Sequence, residues 1–73
     1  MNVESEKFEM INHLFWMWIT ELDLNERAIL DPIRSAAFGF YVARHSKGID
    51  EWDVRGFVEL QIDCLSMFDQ AQK

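Results

Sequence analysis

From Glu4 to about Leu22 the apolar residues Phe8, Ile11, Phe15, Trp18 and Leu22 recur at alternating steps of three and four, which places them on one side of a helix. Leu14, Ile19, Met10 and Met17 widen that side to about 200° at 100° per residue. A second stretch, Glu51 to about Gln70, carries Val54, Phe57, Val58, Cys64, Leu65 and Phe68 on its main stripe. Leu60, Ile62 and Met67 broaden this face to about 220° by the same projection. One neighbouring helix covers little more than a single stripe. A chain with two faces this wide must therefore pack each helix against more than one partner.

The boundaries are written in local chemistry. Asn25 is a candidate N-cap for a short helical turn over residues 26–30, because its side chain can accept a bond from an otherwise unpaired N–H. Asp31-Pro32 supplies a second cap, followed by a proline whose fixed φ and missing N–H suit the first helical position. A middle helix is predicted over residues 32–46. Lys47-Gly48 closes it with a cation and a residue fit for the left-handed conformation. Asp50 caps the last helix, and Glu51 and Asp53 favour its positive end. The middle helix sets Ile33, Phe38, Phe40 and Tyr41 on a bulky side and Ser35, Gly39 and Ala43 on a small one, which predicts a close approach of a second backbone. The stretch 36–43 would also suit a buried strand, but nothing else in the chain would pair with it. The expected fold is an all-α single domain over residues 1–73, with helices about 4–22, 32–46 and 51–70. It forms a three-helix bundle, or a helical hairpin plus a helix, completed by homodimerisation.

Dimerisation is expected because 73 residues build a core that barely offsets the entropy of ordering the chain. The one cysteine, Cys64, forbids an internal disulfide and points to a reducing, cytoplasmic setting. The acidic start, residues 1–9, lacks the pattern of a secretory or transit segment. The longest unbroken apolar run, Leu14 to Ile19, is six residues, against the roughly 20 that span a bilayer. No membrane partner is expected.

Thirteen acids against seven bases give a net charge of -6, which disfavours direct binding to nucleic acid. The charges are also segregated: residues 27–49 hold one acid and four bases, while residues 1–26 and 50–73 each hold six acids. The middle helix is therefore expected to lie between the other two, with opposite charges meeting at the rims. Glu4, Glu6, Glu9, Glu59, Asp63 and Asp69 could instead supply carboxylate rows that imitate a phosphate backbone, the second reading of function.

Candidate chemistry is sparse. Glu9 and His13 share a helix side at i, i+4, yet a metal site needs further ligands from His45, Asp63 or Cys64, and no paired motif provides their spacing. Cys64 falls on the apolar stripe, where a thiol behaves as a small buried hydrophobe. No catalytic residue, cofactor or metal site is assigned, and the chain is read as a non-enzyme; a small helical metal-binding protein is the third reading.

The apolar surplus is the informative feature. Six Phe, three Trp and four Met exceed what three short helices can bury in one core, and such side chains are enriched at interface centres. Trp16, Met17, Met10, Trp52, Phe38, Tyr41, Ile62 and Met67 sit off the main stripes and are the expected partner-binding residues. The expected function is a small acidic regulator, adaptor or inhibitor that docks on a larger protein, on itself, or on both. Its size and charge match the general profile of phage or mobile-element accessory proteins.

Overall fold

The computed structural model describes the backbone of residues 3–71 and the side chains of residues 5–70, so the Glu4 carboxylate considered above lies outside the described residues. It is all-helical, with α1 over Val3–Glu21, a 3₁₀ turn over Glu26–Leu30, α2 over Pro32–His45 and α3 over Glu51–Ala71. No strand forms among the described residues, and none of their helices is long and apolar enough to cross a membrane.

Each expected N-cap is in place, whereas α2 closes earlier than expected, at an extended Ser46, with Arg44 and His45 and not Lys47 in its last turn. The Asn25 side chain accepts from the Arg27 N–H at 2.9 Å, and that of Asp31 accepts from the Ile33 N–H at 2.9 Å. Asp50 and Asp53 close a reciprocal capping box: the Asp53 N–H donates to Asp50 Oδ1 at 2.9 Å, and the Asp50 N–H donates to Asp53 Oδ2 at 3.1 Å. Two orphan donors at the start of α3 are satisfied at once. Gly48 has φ 89°, a left-handed turn in which any side chain would be strained, and the chain reverses there into α3. The end of α1 is closed by a device the sequence does not advertise. Leu24 N–H bonds the Ile19 carbonyl at 2.9 Å and Asp23 N–H bonds that of Thr20 at 3.3 Å, the pairing of a Schellman motif. Asp23 holds the left-handed position, φ 52°, that glycine usually fills.

The helices run up, down and up around one core. Lys7 near the start of α1 meets Asp53 near the start of α3 at 3.4 Å, and Arg27, after α1, clasps Asp69 near the end of α3 through both guanidinium nitrogens. The core joins Ile11, Leu14, Phe15, Trp18 and Ile19 of α1 with Ile29, Phe38, Val42, Val54 and Phe57. Its centre is aromatic: Phe15 stands edge-on to Phe38 at 5.4 Å and to Phe57 at 5.5 Å, and Trp18 meets Phe38 at 5.2 Å. Burying such a side chain contributes about 1.5–3 kcal/mol, and edge-on contact adds roughly 0.5–1.5 kcal/mol per pair. No polar or charged residue is buried among the described residues.

Three packing expectations are corrected. The bulky side of α2 divides: Phe38 points into the core with Val42, while Ile33 and Phe40 lie on the outer face, at 81% and 75% exposure. At 100° per residue positions 33 and 40 lie opposite 38 and 42, so one neighbour cannot receive all of them. The small stripe of Ser35, Gly39 and Ala43 brings no backbone close, since a Cβ built on Gly39 would meet nothing within 4 Å. It borders an open groove instead. Cys64, placed on the core stripe by its spacing, is exposed, because α3 turns Val54, Phe57, Val58 and Leu65 inward and leaves Cys64 on the edge.

Candidate docking surfaces

The eight expected partner-binding residues do not converge on one patch. Met10 and Met17 are exposed, at i and i+7 on the flank of α1 beyond Leu14. Trp16 lies on the opposite flank, half exposed, its ring 5.6 Å from that of Phe15. Met67 is 69% exposed on α3. Trp52 is exposed at the start of α3 beneath the Arg55 guanidinium, 5.3 Å from the ring centre, and Arg55 is itself tied to Glu51 at 2.9 Å. Ile62 and Tyr41 are half-buried and packed on the core. Phe38 is a correction: with 0% exposure it is the centre of the core, because α2 presents Phe38 and Val42, one helical turn apart, directly to Phe15 and Trp18.

Spacing alone passed over other exposed hydrophobics. Leu60 and Phe68 of α3 join Met67 and Cys64 in a flank beside Phe57. Phe57 packs on Phe8 and Phe15 of α1, so this flank borders the α1–α3 seam. Ile33 and Phe40 form the second unclaimed surface, on α2. Their signal was present: Phe38, Tyr41, Val42 and His45 fall at i, i+3, i+4 and i+7, which marks the inward face and leaves Ile33 and Phe40 outside. Between α2 and α3 lies the groove, about 660 Å³, floored by Gly39 and Ala43 of α2 and Val54 and Val58 of α3, with Phe40 on its wall.

The charges are arranged differently from the expected rims. Arg34, Arg44, His45 and Lys47 of the basic middle segment make no ion pair among the described residues, whose pairs are Lys7–Asp53, Arg27–Asp69 and Glu51–Arg55. The Asp50 N–H, with Lys7 after it, holds the Asp53 carboxyl below the usual carboxylate range. The Arg27 hydrogen bonds do the same for Asp69. No three His, Cys, Asp or Glu side chains gather as a metal cluster among the described residues, so Glu9, His13, His45, Asp63 and Cys64 stay dispersed.

No family model, curated protein or solved structure matches the chain.

Proposed function

We propose that the chain is a non-enzymatic protein-interaction module, a small acidic regulator, adaptor or inhibitor that docks on a larger protein. The observation that carries this reading is the α1–α3 flank, where Leu60, Met67 and Phe68 stand exposed on one side of the 21-residue α3, together with the exposed Trp16 of α1. Large apolar side chains grouped in this way lose little on leaving water, and their burial against a partner supplies the driving force for docking. Aromatic and Met side chains are the usual anchors of such contacts. The exposed, single Cys64 thiol fits a reducing, cytoplasmic setting. Imitation of nucleic acid is less well supported, because Arg27 neutralises Asp69, one of the carboxylates such rows would need.

A photo-crosslinking residue placed in turn at positions 16, 67 and 66 tests the reading in the cell of origin. Positions 16 and 67 are expected to give one discrete adduct with a larger protein, and position 66, exposed on α3 away from both that flank and the groove, none. Adducts of twice the chain mass only, or none from any position, would sink it. Self-association, expected from the small core, belongs to the same reading but uses another face.

A further inference from the structure

The outer face of α2 carries Ile33, Ala36, Phe40 and Ala43 at i, i+3, i+7 and i+10, the spacing of a helix-pairing seam. All four are exposed, and Phe40 and Ile33 are among the most exposed large hydrophobics described. Along the seam the sizes alternate: large, small, large, small. We propose that α2 pairs antiparallel with α2 of a second copy of this chain, about a two-fold axis at the level of Phe38.

In that register Ile33 lies against Ala43 of the second copy and Phe40 against its Ala36, and symmetry makes each contact twice. Every large side chain meets a small one. The Phe40 ring also gains room, because the groove beside Ala36 and over Gly39, Ala43, Val54 and Val58 is open. Sliding one helix by three residues sets Ile33 on Phe40 and Ala36 on Ala37, crowding one contact and emptying the next, which close packing disfavours. Charge agrees with the antiparallel sense. The C-terminal end of α2, with Arg44, arrives at the end where Asp31 caps the second copy's helix, and the two helix dipoles oppose. No charged side chain occupies the seam between Ile33 and Ala43, so none is desolvated there.

The inference rests on reading the chain as an interaction module but uses neither Trp16 nor the α3 flank. A pair of 14-residue helices covers less than the roughly 800 Å² per partner of a standard interface, so the dimer is reversible and depends on concentration.

Sedimentation velocity of the full chain across a dilution series, with circular dichroism as the fold control, decides it. The unmodified chain should pass from dimer to monomer on dilution. Phe40→Ala and Ala36→Phe should each weaken association about tenfold or more, through a lost ring contact and through ring against ring respectively. The double variant Ala36→Phe/Phe40→Ala should recover the dimer, because the exchanged sizes again match only in the antiparallel register. All substitutions fall on exposed positions, so helicity should not change. A monomer at every concentration, a dimer indifferent to Phe40→Ala, or a double variant no better than the singles would overturn the pairing. Crosslinks from positions 16 and 67 could persist in each of those cases, which separates failure of the pairing from failure of the docking reading.

Discussion

Tyr41 packs its ring on the core and 4.3 Å from the ring of His45, while its hydroxyl, shielded from water, has no hydrogen-bond partner among the described residues. Burial first, and the negative charge of Glu21 second, raise its ionisation above the usual tyrosine value. A buried hydroxyl left unbonded costs about 1–3 kcal/mol. Tyr41→Phe should therefore leave stability unchanged or raise it by up to about 1 kcal/mol, read from urea unfolding; a clear loss would show that the hydroxyl is bonded, with Glu21 the nearest candidate. At this scale the sequence was a partial guide. Trp16, Met10, Met17 and Met67 were placed outside correctly because each lies well off the inward face of its helix. Cys64 was misplaced because a face of about 220° has two edges and nothing within α3 says which edge its neighbours reach, whereas Phe38 was misplaced because it was grouped with Ile33 and Phe40 instead of with Tyr41 and Val42 at i+3 and i+4.

The ends of the helices were more legible than their faces. Asn25, Asp31 and Asp50 cap within a few residues of themselves, so the chemistry that makes them caps is complete in the local sequence. Asp23 escaped notice because aspartate is an uncommon occupant of the left-handed position. A non-glycine residue costs roughly 1–2 kcal/mol there, and a carboxylate also opposes the negative end of the α1 dipole. Leu24 and Ile19, brought together by the motif and both packed in or on the core, hold it closed despite that strain. Asp23→Gly should raise unfolding stability by about 1 kcal/mol, with the denaturant midpoint moving up and the slope unchanged. A fall in stability would mean that the Asp23 side chain contributes a contact of its own.

Two ion pairs tie the ends of the bundle, Lys7–Asp53 at the base of α1 and α3 and Arg27–Asp69 at the far end. Both carboxyls titrate below their ordinary value in the folded chain. A depressed folded pKa gives stability that is fully present above the unfolded aspartate value, about 3.9, and is lost as pH falls through the lower folded value. The thermal midpoint should therefore drop as pH is lowered from about 4. The double variant Asp53→Asn/Asp69→Asn should flatten that acid limb, and an unchanged limb would assign it to other groups. The pairs themselves are exposed and salt-screened, so the core remains the main source of stability.

The sequence by itself determined the helices, their order, their N-caps and the excess of apolar surface over what three helices bury, because periodicity, proline and capping act within a few residues along the chain. Only the tertiary structure decided which part of each wide face lies inward. That choice depends on three helices filling one volume together: Phe15, Trp18, Phe38 and Phe57 claim the centre, and close packing then turns Ile33, Phe40, Leu60 and Phe68 outward. The small stripe of α2 became the wall of a groove for the same reason, since the bulk that might have filled it faces the other way.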